Sequence, residues 1–330
     1  MKSKILLSES IHEEGINILR QFEEVQIAAD TGEETLVKAV ADADALVVRS
    51  SQVTGKIIQA GKRLKVIGRH GIGLDNIDLE AASRCKVAVV NTPEANVLSV
   101  AEHVIASMLY LCKKLPQSDK ALRSGVFNRS GSLPGLVTKL GYTTLELYGK
   151  TLGLVGVGKI SRRVAEIAGK GFNMNTIGYD AFLPAETIKA AGVEPCSSLE
   201  ELFKQSDFIS LHVPLTPATK DLVDAKLLGL MKPTAYLVNT ARGGVVNEEA
   251  LYTALKNNAI AGAAVDVFAT EPPQQDHPFF ELDNILVTPH AAAMTDGALL
   301  RMALDVAEGV VAVLKGEKPK YLVNPEVWEK

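Results

Sequence analysis

Cysteine is scarce in this chain. Cys85, Cys112 and Cys196 are the only three in 330 residues, widely spaced and odd in number. That argues against a disulfide framework or a zinc cluster, leaves no metal site to expect, and fits a reducing cytoplasm. An excess of one charge is lacking too. A net charge of −4 and a pI near 5.9 give no electrostatic reason to expect nucleic acid or an anionic membrane as a partner. No uninterrupted apolar run is long enough to span a bilayer. The opening MKSKILLSES turns polar after three apolar residues instead of continuing as a signal peptide. Internal repeats and low-complexity segments are missing as well. What is present is 47% apolar and 22% charged residues, the balance of a soluble globular protein, in a chain long enough for two domains.

One stretch, Thr151 to Asp180, organises the rest. Leu152–Val155 has the length of a buried strand. Gly156-Val157-Gly158 is a glycine turn, and Ile160, Val164, Ile167 and Ala168 then share one helical face. A second apolar run, Thr176–Tyr179, ends in Asp180. This is the order of a dinucleotide-binding βαβ unit: the glycines allow a tight turn and close backbone approach, and a helix N-terminus offers N–H groups to a pyrophosphate. The third fingerprint position is Ser161, small enough for close packing. Asp180 follows it by 19 residues, near the usual spacing of about 20 to a ribose-binding carboxylate. An acid there accepts hydrogen bonds from the ribose and repels a 2′-phosphate, which favours NAD.

The first hundred residues alternate strands and helices. Ile5–Leu7, Val25–Ala28, Ala45–Val48, Lys65–Gly68 and Val87–Val90 read as strands of a parallel sheet, with helices such as Ile11–Phe22 and Glu33–Ala41 between them. Arg49-Ser50-Ser51 and Arg69-His70-Gly71-Ile72-Gly73 follow two of these strands. They read either as an anion cradle or as turns with solvated arginines. A helix beginning at Val97, with Asn96 as N-cap, spans about 27 Å over eighteen residues and carries the chain into a second domain. His103 on it reads as structural. Gln117–Lys150 reads as polar and irregular, a lid, an arm or a subunit contact. Phe208–Leu211, Ala235–Asn239, Gly262–Val265 and Ile285–Thr288 are further strands, Met294–Lys315 is helical with Gly316 after it, and Tyr321–Asn324 is an edge element.

These later strands end in His212-Val213-Pro214, Thr240-Ala241-Arg242, Asp266 through Glu271, and Pro289-His290. Parallel strands put such ends on one rim, so Arg242, Glu271 and His290 are expected to converge there. A fork-shaped cation suits a carboxylate and a carbonyl, and a histidine backed by a carboxylate suits an alkoxide's proton. The trio therefore points to reduction of a 2-keto acid.

At this point the sequence resembles the D-isomer-specific 2-hydroxyacid dehydrogenases, and most closely their 3-phosphoglycerate dehydrogenase group. The resemblance runs through Gly68–Asp78, Asn91–His103, Gly153–Ser161, His212–Thr219, Asn239–Gly244, Ala264–Pro273 and Thr288–Thr295. It implies an α/β fold of two doubly wound parallel-sheet domains: a Rossmann NAD domain over 99–292 and a flavodoxin-like substrate domain split between 1–98 and 293–330. It implies that Arg242 binds substrate, His290 is the general acid/base and Glu271 its partner. Asp266 is then expected to hold the nicotinamide carboxamide. Gly156, Gly158, Lys159, Ile160, Asp180, His212, Val213, Pro214, Thr219, Thr240, Ala241 and Ala292 complete the expected cofactor contacts. Arg49, Ser50, Arg69, Gly71, Ile72, Gly73 and Asn96 are the expected substrate contacts, with the arginines toward a phosphate. The resemblance also implies a homodimer acting on a small 2-hydroxy or 2-keto acid. Three features depart from the group: Ser161 in the fingerprint, the AAAMTDG run after His290, and an end near Lys330 without a regulatory domain. They bear on the substrate more than on the reaction. Glyoxylate or hydroxypyruvate is the alternative substrate, and a non-enzymatic NAD-sensing co-repressor the alternative of another class. The formate dehydrogenase branch carries Gln where Glu271 stands, which argues against it.

Overall fold

The computed structural model describes residues 4–127, 135, 137–138, 141 and 144–328. The chain divides into two compact units, Met1–Ser99 with Ala293–Lys330, and Val100–Ala292. The first opens with β1 (Lys4–Leu7), α1 (Glu13–Phe22), β2 (Glu24–Ile27), α2 (Glu33–Ala39), β3 (Ala45–Val48), α3 (Gly55–Ala60), β4 (Val66–Arg69), α4 (Leu79–Arg84) and β5 (Ala88–Val90). The boundary falls inside α5 (Val97–Cys112). The second unit continues with α6 (Leu115–Arg123), β6 (Thr151–Val155), α7 (Lys159–Phe172), β7 (Asn175–Tyr179), α8 (Ala185–Ala190), β8 (Glu194–Pro195), α9 (Leu199–Gln205), β9 (Phe208–Leu211), α10 (Ala225–Leu228), β10 (Tyr236–Asn239), α11 (Glu248–Lys256), β11 (Gly262–Val265) and β12 (Ile285–Val287). Finally α12 (Asp296–Leu314) returns to the first unit.

Every strand pairing is parallel. The first unit has the order β2-β1-β3-β4-β5, and the second β12-β11-β10-β9-β6-β7-β8. Such sheets need cover on both faces, which is why β3, β9 and β11 are buried at all four positions, β3 and β11 as continuous apolar runs and β9 as one interrupted only by Ser210. In the first unit one face packs on Leu36, Ile57 and Ile58 from α2 and α3. The other packs on Ile16 and Leu19 of α1 and on Ala303, Val306 and Val310 of α12. Helix starts follow side-chain chemistry: Asp78, Asn247 and Thr295 each accept an N–H from the first turn of α4, α11 and α12.

Sheet order reverses between β1 and β3 in the first unit and between β6 and β9 in the second. Ligands of doubly wound sheets settle at these switch points, beyond the carboxyl ends of the strands.

Two expectations are corrected, and one short element went unforeseen. Residues 115–123 form α6, so the start of the supposedly irregular Gln117–Lys150 segment is helical. Its signal was Pro116 in the first turn with Lys120 and Arg123 in the last. Residues 128–134, 136, 139–140 and 142–143 of that segment lie outside the described residues. The two-residue edge strand β8 carries no period and was missed. Asn96 does not cap α5 through its side chain, because its buried Oδ1 accepts no hydrogen bond among the described residues. Tyr321–Asn324, expected as an edge element, does return along the edge strand β5, through an antiparallel bridge from Leu322 to Val90 and Val323 N–H to Val89 O at 2.8 Å. Among the described residues no helix is long and apolar enough to cross a membrane, and no group of three His, Cys, Asp or Glu is placed to hold a metal.

Candidate active site

At the switch point of the seven-stranded sheet, β6 ends in Gly156 with φ +86°. A Cβ there would stand 3.0 Å from the His212 carbonyl oxygen, so the turn tolerates no side chain. Gly158 precedes α7, which has no side-chain cap, and a Cβ on Gly158 would meet no atom of the described residues within 4 Å. The N-terminus of α7 is thus kept clear of side chains, as anion binding requires. Ser161 is fully buried and turns its hydroxyl back onto Gly158 O at 3.1 Å, so it packs where a glycine was expected without crowding the turn. Asp180 is fixed by backbone: Oδ2 accepts Val157 N–H at 2.9 Å, and Oδ1 accepts Phe182 and Leu183 N–H at 2.9 and 3.1 Å.

Beside this turn, Ser210 Oγ, His212 Nε2 and Thr240 Oγ1 are buried without a hydrogen-bond partner among the described residues. Burial pushes the His212 pKa down to about 3, so the ring is neutral. Thr219 bonds within its own turn, to Pro214 O at 2.5 Å and Thr216 N–H at 2.8 Å, and so shapes the loop after β9. An unobstructed helix N-terminus, a backbone-held carboxylate and orphaned polar atoms at the strand ends fit a bound dinucleotide.

The next three strands supply a connected group. Asn239 folds the turn after β10 by donating to Arg242 O at 3.0 Å and accepting Ala241 N–H at 3.1 Å. Arg242 follows, partly buried, with Nη1 on Ala241 O at 2.6 Å. After β11, Asp266 (2% exposed) clamps the segment that follows β12. Its Oδ1 accepts the Thr288 hydroxyl at 2.5 Å and Ala291 N–H at 2.8 Å, its Oδ2 accepts Ala292 N–H at 2.9 Å, and its carbonyl accepts His290 N–H at 2.7 Å. His103 stands behind the clamp, with Nε2 at 3.3 Å from Thr288 Oγ1. His290 itself takes a left-handed φ of +53°, uncommon outside glycine, and the clamp is what holds it there.

His290 Nδ1 lies 2.8 Å from Glu271 Oε2, and Glu271 Oε1 accepts Phe268 N–H at 3.0 Å. Burial pushes the Glu271 pKa up. The His290 hydrogen bond, the Phe268 N–H and the charges of His290 and Arg242 outweigh it, so the carboxyl sits below its usual range. An ionised Glu271 places the proton on Nδ1 and leaves Nε2 for exchange. The structure therefore brings Arg242, Glu271, His290, Asp266 and Ala292 together within one unit.

The remaining predicted residues lie at strand ends of the other unit. Arg49 and Ser50 follow β3, and the Ser50 N–H and hydroxyl both bond to Glu9. Arg69 Nη1 bonds to His70 O. Gly71, with φ +141°, makes room for that guanidinium, since a Cβ would lie 2.7 Å from Arg69 Nη1. Arg69 is thus folded over its own turn. His70 is 3% exposed, and neither ring nitrogen has a hydrogen-bond partner among the described residues; burial, then the charges of Arg49 and Arg69, push its pKa down to about 4. Ile72 is exposed, and its carbonyl accepts Asn91 Nδ2 at 3.1 Å. Sequence reasoning singled out neither Glu9 nor the His103–Thr288–Asp266 chain. Glu9 follows β1, a position that pointed to it; the chain joins residues far apart in sequence, which no local spacing reveals.

Comparison with known proteins adds the following. Residues 105–292 match the family model described as D-isomer specific 2-hydroxyacid dehydrogenase, NAD binding domain. D-3-phosphoglycerate dehydrogenase of Methanocaldococcus jannaschii is 44% identical over 97% of this chain and 59% of its own length. Glyoxylate reductase of Pyrococcus furiosus is 41% identical over 99% of this chain and 97% of its own. A solved D-lactate dehydrogenase from Aquifex aeolicus, complexed with NAD and lactic acid, is 30% identical, with a TM-score of 0.83 over 97% of this chain and 99% of that one. The chain spans 50–59% of the length of the curated D-3-phosphoglycerate dehydrogenases it matches first.

Proposed function

The chain belongs to the D-isomer specific 2-hydroxyacid dehydrogenase family, whose NAD-binding domain it carries, and from that premise we propose that it interconverts a D-2-hydroxy acid and its 2-keto acid. The observation that supports this most is the His290–Glu271 pair at 2.8 Å, with the charge of Arg242 acting on the same carboxylate. In this reading Arg242 holds the substrate carboxylate and polarises the carbonyl, because a guanidinium forms two parallel hydrogen bonds to planar oxygens. His290 Nε2 gives its proton to the developing alkoxide, and Glu271 stabilises the imidazolium before that transfer and orients the ring throughout. A positioned acid of this kind contributes roughly 10²–10⁴ in rate. The nicotinamide, when bound, supplies or accepts the hydride.

The cofactor we assign is NAD. The turn from Gly156 to Ile160 receives the pyrophosphate, Asp180 the ribose hydroxyls, and the segments at His212–Pro214, Thr240–Ala241 and Ala292 the nicotinamide half. Asp266 already accepts three hydrogen bonds in its clamp, and one lone pair of Oδ2 remains for the carboxamide. Arg49, Arg69, the Ile72–Gly73 amides and Asn96 are the proposed substrate contacts. A homodimer in a reducing cytoplasm is the proposed setting. Leu115 and Leu122 on α6, with Val126 just after it, stand 43–59% exposed, an apolar group suited to a second copy.

3-Phosphohydroxypyruvate is the leading substrate, supported by the relatives named phosphoglycerate dehydrogenase. Glyoxylate is the second reading, favoured by a relative that matches over nearly its whole length. NADH oxidation measured across both and other short 2-keto acids tests the proposal. The expected result is turnover with at least one and a clear preference between the two. No turnover with any, under conditions where NADH binds, leaves a nicotinamide-sensing protein instead.

A further inference from the structure

The switch point of the five-stranded sheet lies between β1 and β3, where a doubly wound sheet of this order receives ligands. There the chain has built an anion site and filled it itself. Three successive backbone N–H groups, of Arg49, Ser50 and Ser51, converge on a single oxygen, Glu9 Oε2, at 3.2, 2.9 and 3.3 Å. The hydroxyls of Ser8 and Ser51 donate to the same oxygen at 3.1 and 3.0 Å, and Ser50 Oγ donates to Oε1. Consecutive N–H groups aimed at one point form a nest with a net positive dipole, the arrangement other proteins offer to phosphates. Here the acceptor comes from the loop after β1 and the donors from the loop after β3. The contact therefore ties together the two strand ends that flank the switch point.

We propose that Glu9 is a positioning residue, a built-in anion that fixes the Arg49–Ser51 turn so that Arg49 is presented to the anionic end of a substrate. The inference rests on reading Arg49 as a substrate contact. A turn with three inward N–H groups is held in that shape by an acceptor; without one, the part-buried N–H groups of Arg49 and Ser51 are left short of a partner and the exposed Ser50 N–H turns to water. The acceptor is a charged one. Burial pushes the Glu9 pKa up, but the Ser50 and Ser51 hydrogen bonds outweigh it and bring it down to about 2, so the anion persists across the working pH range. The Arg49 guanidinium takes no part in this: its one hydrogen bond among the described residues is to Met294 Sδ at 2.8 Å, a neutral partner. Glu9 thus spends its charge on the backbone of the turn. It also occupies the N–H and hydroxyl of Ser50, a residue expected from the sequence to meet the substrate itself.

The test uses the whole chain with Glu9→Gly and Glu9→Gln. Steady-state kinetics with NADH, and with the 2-keto acid the parent chain reduces best, should give a KM raised roughly tenfold in Glu9→Gly. Its kcat should change less than about threefold, since several charge-assisted hydrogen bonds are lost but the proton-transfer pair is untouched. Glu9→Gln keeps the shape and one acceptor and should fall between. Acetate added at constant ionic strength should lower the KM of Glu9→Gly toward the parent value, after correction for any inhibition of the parent by the same acetate. In amide NMR spectra the same titration should shift Ser50 and Ser51 in Glu9→Gly and leave them still in the parent. An unchanged KM in Glu9→Gly overturns the proposal. So does a raised KM that acetate neither restores nor accompanies with amide shifts, which is the signature of general misfolding. If the parent reduces none of the acids, the catalytic reading fails on its own, and the amide titration alone decides whether Glu9 fills an anion nest.

Discussion

The two sheets solve the same problem at their switch points in opposite ways. In the seven-stranded unit the turn after β6 is stripped of side chains, with glycine where a Cβ would strike the His212 backbone and an uncapped α7 beyond it. In the five-stranded unit three N–H groups of the turn after β3 converge on one point, and a glutamate of the same unit sits there. One loop is kept clear for a ligand anion, and the other is held rigid by an internal one. Exposed-looking backbone donors in a sequence motif are therefore no evidence for a ligand until the chain's own acceptors have been traced. The same contrast runs through the side chains. Arg242 bears on the carboxylate that orients His290, whereas Arg69 is folded back over its own turn.

The comparison assigns the bond-making chemistry to the seven-stranded unit, and the largest effects are expected there. His290→Ala should lower turnover by roughly 10²–10⁴ while leaving NADH binding, followed by nucleotide fluorescence, within about twofold. Arg242→Ala should raise KM and lower kcat together. Parent-like turnover in the His290 variant would place the proton donor elsewhere and break the comparison outright.

A smaller effect is expected at Asp180. On the proposed reading, replacing it by Ala removes the acceptor for ribose hydroxyls and the repulsion of a 2′-phosphate, and should narrow any NADH-over-NADPH preference by about tenfold, or about 1.4 kcal/mol. The variant also frees Val157 N–H, so the KM for both cofactors should rise somewhat. An unaltered cofactor ratio would show that Asp180 serves the glycine turn alone.

The smallest effect sharpens the contrast in electrostatics. Glu271 titrates below its ordinary range in the folded chain, so its contribution to stability is complete above the unfolded carboxyl pKa near 4.5. It is lost as pH falls from there through the folded value. Thermal melts between pH 6 and about 3 should show Glu271→Gln losing less stability on acidification than the parent. Partial solvent exposure of the pair keeps the difference to about 1 kcal/mol or less. Equal slopes would mean that the His290–Glu271 contact carries no folding free energy.

Much of the architecture was readable from local pattern. Buried parallel strands such as Ala45–Val48 and Gly262–Val265 are unbroken apolar runs, Phe208–Leu211 is broken only by Ser210, and their limits coincide with the observed ones. The glycine turn and Asp180 announce themselves by spacing, since both belong to one βαβ unit. The pairing of Glu271 with His290 was also expected, because both were placed at strand ends of one rim. What the sequence did not disclose are contacts that cross from one loop to another. Glu9 is forty residues or more from each of the N–H groups it binds. His103 meets Thr288 across 185 residues. The cap at Asn96 failed for a related reason: residue type promised a local bond, and in the fold its oxygen is buried with no donor beside it. Short elements with no period to read, such as Glu194–Pro195, were invisible for want of length.

The chain assembles its five-stranded unit from both ends, and this has a consequence for synthesis. A ribosome releases residues 100–292 as one continuous stretch, so the seven-stranded unit has all its strands before α12 exists. Until then the nascent five-stranded sheet has Ile5, Leu7, Val66 and Val90 on a face that Ile16 and Leu19 of α1 cover only in part, and that Ala303, Val306 and Val310 will later complete. The earliest-made strands are the last to be sealed, and a molecular chaperone has its clearest reason to bind during that interval.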